Sequence, residues 1–315
     1  MPFAEDLVRF GPESRAVATL EQARAYCAQL AHSHYENFSV VTALTPRHLK
    51  PAFEAVYAFC RWADDLGDEV GDRDRSLRLL AWWREQLGAM YAGDATHPVY
   101  VALAPVVAEF GIPIEPFDRL IQAFEQDQVV VDYDTRAQLL DYCTRSANPV
   151  GRIVLYLCRC HDDTNATLSD FTCSGLQLAN FWQDVARDLA IGRIYLPREN
   201  RDRFRVTQDD LRKVPASHAF RELLADEVAF AQGLLDQGQP LPRRVPAEVA
   251  AAIDLFNRGG MAILERIRKQ KYDVLRARPK LSKFDKLRLV LPVLAANFFP
   301  KSKSHQPNEP ILEKP

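Results

Sequence analysis

The sequence lacks the features that mark several large classes of protein. Its 40 basic and 42 acidic residues leave a formal net charge of −2, so no excess of positive charge indicates a nucleic-acid partner. No apolar run is long enough to cross a bilayer, and residues 1–11 contain no basic region followed by an apolar stretch, so we expect no secretory signal. With 47% hydrophobic and 26% charged residues, the composition predicts a soluble, cytoplasmic, globular protein.

Patterned cysteines and glycine-rich motifs are also missing. The six cysteines have neither the spacing of a disulfide scaffold nor that of a zinc site, and most lie in apolar helical contexts, which indicates reduced thiols in a core. No glycine-rich phosphate loop and no Gly-x-Gly-x-x-Gly fingerprint is present, so we expect no nicotinamide cofactor. The absence of Glu-x-x-His sets aside a di-iron helical bundle.

The signals that are present are helical, and they predict an all-α protein. No pair of segments has the pattern of β-strands, and no solenoid repeat is found. Caps, prolines and apolar stripes predict helices over residues 19–34, 46–69, 77–90, 98–111, 116–124, 139–160 with a break at 148–151, 167–191, 216–235, 245–276 and 282–297. We expect a single helical bundle around a central cavity over residues 19–299, between an N-terminal extension, 1–18, and a disordered tail, 300–315.

One stretch of the chain changes abruptly from apolar to acidic. Residues 56–63 are apolar on nearly every side except at Arg61, which is the pattern of a buried helix. Asp64 and Asp68 follow at i, i+4, so their carboxylates share one face of that helix and repel each other. A buried helix that ends in paired carboxylates needs a positively charged guest.

A second stretch repeats this arrangement. Asn180, Asp184 and Asp188 lie at i, i+4 and i+8 on a helix that is otherwise mostly apolar, so their oxygens form one stripe. Two such helices facing each other would line a cavity with carboxylates at its mouth and apolar side chains below. Oxygen ligands of this kind favour Mg²⁺, which binds through a few carboxylates and the phosphates of its substrate.

Each acidic stretch alone is explained equally well as a solvated helix end. Arg61 and Arg187 are close enough in sequence to pair with the aspartates, and acidic clusters are common on surfaces. Considered together, two apolar helices with aspartates four residues apart favour a metal site by roughly four to one. His34 has two interpretations, a helix cap or a contact to a phosphate.

At these residues the chain resembles the squalene/phytoene synthase family, whose members share an all-α isoprenoid synthase fold. That family carries two motifs of the Asp-x-x-x-Asp kind on facing helices. In the first motif the matching residues are Tyr57, Arg61, Asp64 and Asp68. In the second motif they are Gln177, Asn180, Asp184 and Asp188. The segment 193–197, Arg-Ile-Tyr-Leu-Pro, also matches the family. The resemblance covers about residues 20–295.

Three departures from the phytoene and squalene synthase pattern favour the HpnC branch of this family, the hydroxysqualene synthases of bacterial hopanoid pathways. Glu36-Asn37-Phe38 replaces a Ser-Lys-Ser-Phe-like segment that helps to bind diphosphate, Gln183 replaces an arginine, and residues 146–151 replace an Ala-Gly-Thr-Val-Gly-like bend. Two cations are thereby lost. A site that holds one diphosphate needs fewer cations than a site that holds two.

The resemblance implies that presqualene diphosphate and water are converted into hydroxysqualene and diphosphate. It implies three Mg²⁺ ions, which act as Lewis acids when the C–O bond ionises and are held by Asp64, Asp68, Asn180, Asp184 and Asp188. The substrate-binding residues that it implies are His34, Asn37, Phe38, Tyr57, Arg61, Gln177, Phe181, Arg193, Tyr195 and Tyr272. Arg61 and Tyr195 would contact the diphosphate, and aromatic faces such as Phe38, Tyr57, Phe59 or Phe181 would stabilise a carbocation by ~2 kcal/mol when desolvated.

The cavity wall itself is predicted at two places. A small residue of the first acidic helix, Ala58 or Ala63, is expected to limit the depth available to the isoprenoid chains. Water capture needs a polar group in an otherwise apolar wall, and Asn148 is the candidate catalytic residue, because Pro149 opens its helix there. The other interpretation is a plain proline kink with Asn148 bonded to the freed backbone.

Two other functions stay open at this point. One is head-to-head condensation of two prenyl diphosphates to presqualene diphosphate, squalene, dehydrosqualene or phytoene. The other is a non-catalytic assembly or chaperone role, against which the intact acidic pairs argue. The apolar stretch 287–299, with Lys283, Lys286 and Arg288 beside it, is interpreted as core, with peripheral contact to the inner membrane as the alternative. The sequence does not indicate an oligomeric state.

Overall fold

The computed structural model describes residues 3–33 and 46–282, together with 285, 288 and 289. In this part of the chain the regular structure is helical, with one isolated bridge between Asp132 and Ile194, and the all-α prediction is confirmed. The α-helices, numbered in chain order, are α1 (Phe3–Phe10), α2 (Leu20–Ser33), α3 (Lys50–Asp68), α4 (Arg73–Ala92), α5 (Pro98–Phe110), α6 (Glu115–Asp127), α7 (Arg136–Ser146), α8 (Asn148–Leu157), α9 (Asp163–Ala190), α10 (Arg198–Arg203), α11 (His218–Gly238) and α12 (Ala247–Lys269). Two short 3₁₀ turns, Asp210–Arg212 and Leu241–Arg243, flank α11.

Local sequence signals determine several helix starts. Thr19 and Gln22 form the predicted reciprocal cap of α2. The Thr19 amide donates to the Gln22 side chain at 3.0 Å, and the Gln22 amide donates to the Thr19 hydroxyl at 3.3 Å. His97 caps α5 with its Nδ1, which accepts from the amide of Val99 at 3.2 Å, and Pro98 occupies the first helical position as expected.

The start of the first acidic helix was predicted four residues too early. α3 begins at Lys50 rather than at Pro46, because residues 47–49 form a turn and Pro51 is the proline in the first helical turn. Its predicted end is confirmed, since the helix stops at Asp68.

Other bounds differ as well, among them the start of α4, which begins at Arg73 instead of 77, and two of these differences have a clear local cause. α9 begins at Asp163, well before 167, because the carboxylate of Asp162 accepts from the amide of Asn165 at 2.7 Å and caps the helix there. α12 ends at Lys269 instead of continuing to 276, and Lys271 and Tyr272 follow in the left-handed region of the backbone, where a helix cannot continue.

The predicted break before the second acidic helix is confirmed. α7 ends at Ser146 and α8 begins at Asn148, with Pro149 in its first turn. Gly151 then allows α8 to approach α9 closely. A Cβ atom at that position would lie 2.3 Å from Ser169 Oγ and 2.5 Å from Cys173 Sγ, so a larger residue would require both of these side chains to move.

Two apolar clusters form the core of the bundle. The first joins α3, α4 and α5 around Phe59, Trp62 and Trp83, and α1 packs on it through Phe3, whose ring centroid lies 5.3 Å from that of Trp62. The second joins α9 and α11 around Trp182, whose indole N–H donates to a backbone carbonyl of α11 at 3.2 Å. α9 packs against α7, α8, α11 and α12.

Some predictions fall on parts of the chain outside the described residues. These are His34, Asn37 and Phe38 and the tail 300–315. Of the predicted helix 282–297, the structure describes 282, 285, 288 and 289, and the last three are helical.

Candidate active site

The carboxylates at the end of α3 are held by arginines. Arg61 donates from Nε to Asp65 Oδ2 at 2.9 Å and from Nη1 to Asp64 Oδ2 at 3.2 Å. Asp68, one turn further on, pairs with Arg193 at 3.2 Å. Burial raises the pKa of Asp65 to about 7 although Arg61 opposes the shift, and burial likewise raises the pKa of Asp64. The site therefore holds more negative charge than its surroundings solvate well.

The polar stripe of α9 carries the second set of oxygen ligands. Asn180 is exposed, whereas Asp184 and Asp188 are half-buried. Asp184 pairs with Arg278, whose Nη2 lies 2.8 Å from Oδ2. Asp188 has no ion pair among the described residues, and burial together with the neighbouring Asp184 raises its pKa to about 7.

Arg193 connects the two acidic motifs. Its guanidinium contacts Asp68 on α3. Its positive charge also opposes the rise in pKa that burial causes at Asp64 on α3 and at Asp188 on α9. The loop that follows α9 positions it, because the amide of Ile194 donates to the carbonyl of Val131 at 2.7 Å. The two motifs that the sequence predicts to face each other thus lie around one cation.

A third acidic group, which the sequence analysis missed, lies in the same place. Asp127, the last residue of α6, accepts from the hydroxyl of Tyr142 at 2.8 Å, while its Oδ1 is buried without a hydrogen-bond partner. Burial raises its pKa to about 6, and Arg193 opposes the shift. No sequence signal identifies it, because Asp127 lies far along the chain from both motifs.

An aromatic stack lies beside these carboxylates. The rings of Phe181 and Tyr195 are nearly parallel, with centroids 3.7 Å apart, and Tyr133 and Tyr142 pack against Tyr195. Phe181 and Tyr195 are both buried in the second core. They line one small pocket together with Asp188 and Arg193.

An apolar cavity of about 240 Å³ lies between α7, α8, α9 and α12. Gln177 of α9 lines it, and Gln177, Asp184 and Asp188 share a helix face, with about 17 Å along the axis between the first and the last. The residues that line the cavity are Ser146, Ala147, Val150, Gly151, Val154, Leu155, Ser169, Thr172, Cys173, Leu176, Gln177, Leu241, Ile253 and Phe256. One face of α9 therefore leads from an apolar chamber to the carboxylates.

The cavity wall differs from the prediction at three residues. Ala58 and Ala63 are 0% exposed within the first core and are not among the residues that line the cavity. Asn148 is buried beside the cavity rather than on its wall, and its Oδ1 accepts from the Ser174 hydroxyl at 2.9 Å. This is closer to the structural interpretation of the kink, with Ser174 as the partner instead of the freed backbone.

Two remaining candidates lie at the edges. Tyr57 is half-buried on α3, near enough to Arg61 for that cation to lower its pKa against the effect of burial. Tyr272 lies in the turn after α12, packs against the second core and is not part of the cavity wall.

The donor set suits a hard divalent cation, since it consists of carboxylate and amide oxygens on two facing helices. The unpaired Asp188 and the buried Oδ1 of Asp127 add negative charge that no described cation contacts directly. Within residues 3–33 and 46–282, however, no three acidic, histidine or cysteine side chains converge on one point as ligands of one ion. Arginines contact the carboxylates instead, so a metal ion that used the same oxygens would have to displace these arginines.

Comparison with known proteins agrees with this geometry. The family model for squalene/phytoene synthase matches residues 31–285, a span that contains both acidic motifs. The chain belongs to the squalene/phytoene synthase family. Family members process prenyl diphosphates, and the expected isoprenoid synthase fold is thereby confirmed.

Individual members of the squalene/phytoene synthase family resemble this chain to different degrees. A crystal structure of squalene synthase HpnC from Alicyclobacillus acidocaldarius is 48% identical, with a TM-score of 0.77, and the match covers 81% of this chain and 96% of that one. A presqualene diphosphate synthase of Rhodopseudomonas palustris is 31% identical over 81% of this chain and 91% of its own. A hydroxysqualene synthase of the same organism is 34% identical over 67% of this chain and 71% of its own.

The described helices were also compared with the requirements for crossing a membrane. None of them combines the length and the apolar character that a bilayer-spanning helix needs.

Proposed function

We propose that this chain converts presqualene diphosphate and water into hydroxysqualene and diphosphate, in a reaction that depends on Mg²⁺. The reaction is redox-neutral, because water replaces the diphosphate group, and it needs no nicotinamide. The likeness to the HpnC structure and to a hydroxysqualene synthase supports the proposal.

The observation that carries the proposal is the neutral side chain beside Asp184. Gln183 is buried, and its amide bonds to the segment at 278–279. Among the described residues, Arg278 is therefore the close guanidinium partner of Asp184, while the exposed Arg187 lies 3.7 Å away. A site for two prenyl diphosphates would need additional cations here, whereas one diphosphate is matched by Arg61, Arg193 and Arg278.

In this proposal the residues of the site have separate roles. Asp64, Asp68, Asn180, Asp184 and Asp188 would hold Mg²⁺, which supplies Lewis-acid assistance to departure of the diphosphate. Arg61 and Arg193 stabilise the negative charge that develops on the leaving oxygens. The apolar cavity beside Gln177 receives an isoprenoid chain and excludes bulk water. One water molecule then bonds to the substrate carbocation, with loss of a proton.

A second candidate function is head-to-head condensation of two prenyl diphosphates. The likeness to a presqualene diphosphate synthase favours it, because that match covers a larger share of the chain than the match to the hydroxysqualene synthase. A non-catalytic assembly role has less support, since both acidic motifs are intact.

Product analysis separates these functions. The purified protein is incubated with Mg²⁺ and either presqualene diphosphate or farnesyl diphosphate, without a nicotinamide. We expect hydroxysqualene from the first substrate and no C30 product from the second. Formation of presqualene diphosphate or another C30 product from farnesyl diphosphate would support condensation instead, and no turnover of either substrate would support the non-catalytic role.

A further inference from the structure

Asp184 is neutralised by a cation that lies 94 residues further along the chain. Arg278 donates from Nη2 to Asp184 Oδ2 at 2.8 Å and from Nε to Oδ1, so the guanidinium grips both carboxylate oxygens. The other cation nearby, Arg187, lies 3.7 Å away and its side chain is 64% exposed. Arg278 is therefore the main counter-ion of this carboxylate.

Gln183 holds Arg278 in that position. It is buried, its Oε1 accepts from Arg278 Nη2 at 3.3 Å, and its Nε2 donates to the carbonyl of Pro279. A buried amide needs partners for both of its ends, and here both partners come from the same two-residue segment. The amide of Gln183 thus fastens this segment to α9 beside Asp184.

This arrangement conflicts with the proposed use of Asp184 as a metal ligand. The oxygens that a divalent cation would take are already bonded to Arg278, and in the described part of the chain no three ligand side chains converge. The side chain of Arg278 is 30% exposed, so it has room to leave the carboxylate without disturbing a core. A guanidinium that fits a carboxylate with two parallel bonds also fits a phosphate.

We propose that Arg278 is an exchangeable counter-ion and that Gln183 is its positioning residue. In the metal-free protein Arg278 neutralises Asp184. When a divalent cation and diphosphate bind, Arg278 releases Asp184 and turns to the diphosphate, while Gln183 keeps its segment in place. This inference rests on the proposed function only in requiring that the site binds a divalent cation with diphosphate.

The first test measures binding of Mn²⁺ alone by electron paramagnetic resonance. Replacing the competing cation in Arg278→Met should tighten Mn²⁺ binding roughly tenfold, the factor expected from one charge-assisted hydrogen bond. Gln183→Met keeps the charge of Arg278 but removes the hydrogen bonds that hold residues 278–279, so it should tighten Mn²⁺ binding by a smaller factor. Arg187→Met is the matched control, and we expect less than about a twofold change because its pair is long and solvated.

The second test measures binding of inorganic diphosphate by calorimetry at saturating Mg²⁺. Here Arg278→Met should weaken binding roughly tenfold, the opposite direction to its effect on the metal alone. If Arg278 only stabilised the fold, Arg278→Met would weaken the binding of both Mn²⁺ and diphosphate. Circular dichroism verifies that each variant is folded.

Unchanged or weaker Mn²⁺ binding in Arg278→Met would overturn the exchange, and so would unchanged diphosphate binding. Neither assay uses an isoprenoid, so a different reaction product leaves this inference intact. Wild-type protein that binds neither Mn²⁺ nor diphosphate would overturn both the exchange and the proposed function.

Discussion

Tyr142 donates its phenolic hydrogen to Asp127 at 2.8 Å, and the pair lies between the aromatic stack and Arg193. This hydrogen bond joins α6 to α7 next to the acidic residues of the site. The other oxygen of Asp127 has no hydrogen-bond partner, so the charge of Arg193 and this hydrogen bond together compensate for burying the carboxylate.

Removal of that hydroxyl should destabilise the fold measurably. For Tyr142→Phe we expect the free energy of unfolding in urea to fall by about 1.5–3 kcal/mol, the range for hydrogen bonds to charged groups. Tyr91→Phe is the control, because Tyr91 donates to a neutral backbone carbonyl at 2.9 Å and should cost about 1 kcal/mol. Equal losses in the two variants would contradict a special role for Asp127.

Asp188 should be indispensable for turnover and dispensable for folding. It lacks an ion pair in the described structure, so Asp188→Asn removes charge without breaking a contact. We expect diphosphate release to slow by at least about 100-fold, a typical cost of losing one electrostatic contact in an active site. Asp141→Asn, an exposed carboxylate paired with Arg145 on the same helix, should leave the rate unchanged. If Asp188→Asn kept more than a tenth of the wild-type activity, Asp188 would not be part of the active site.

The size of the apolar cavity should limit turnover of long substrates. Val154→Phe adds bulk to the cavity wall, and we expect the rate with a C30 substrate to fall about tenfold, while Mn²⁺ binding stays the same. Val129→Phe, on an exposed residue outside the cavity, is the control. Ala58→Phe should instead destabilise the fold itself, because Ala58 is buried in the first core. Unchanged kinetics in Val154→Phe would show that the isoprenoid binds elsewhere.

His97 should contribute to unfolding by acid. Burial lowers its pKa to about 3 in the folded protein, against about 6.5 in an unfolded chain. As the pH falls, His97 therefore takes up a proton in the unfolded chain before it does so in the folded protein. The stability that neutral His97 contributes is complete above about pH 6.5 and is lost as the pH falls towards about 3, by up to about 1.4 kcal/mol per pH unit.

The corresponding variant is His97→Asn, which keeps a side chain able to cap α5 but does not titrate. Between pH 7 and pH 5 we expect the wild type to lose about 2 kcal/mol more stability than this variant, measured by urea unfolding at each pH. Parallel pH dependences would show that His97 is protonated in the folded protein.

The sequence reveals those parts of the site that depend on local spacing. Asp64 and Asp68, like Asp184 and Asp188, are one helical turn apart, and one turn places their side chains on a single face. The paired aspartates, the helix break at Pro149 and the all-α class follow from such short-range patterns.

The contacts that complete the site are long-range, and no local pattern encodes them. Arg278 reaches Asp184 across 94 residues, and Arg193 reaches Asp68 across 125. The expectation that Ala58 or Ala63 limits the depth of the cavity depends on tertiary packing in a similar way. Periodicity shows that both faces of α3 are apolar, but only tertiary packing decides that Ala58 faces a core rather than the cavity.

We propose that this chain adds water to a carbocation derived from presqualene diphosphate. The most direct test is turnover of presqualene diphosphate with Mg²⁺ in water enriched in ¹⁸O, followed by mass spectrometry of the C30 product. We expect an alcohol that carries one ¹⁸O atom and no unlabelled oxygen bound to carbon. A hydrocarbon product, or an alcohol whose oxygen comes from the diphosphate ester, would contradict it.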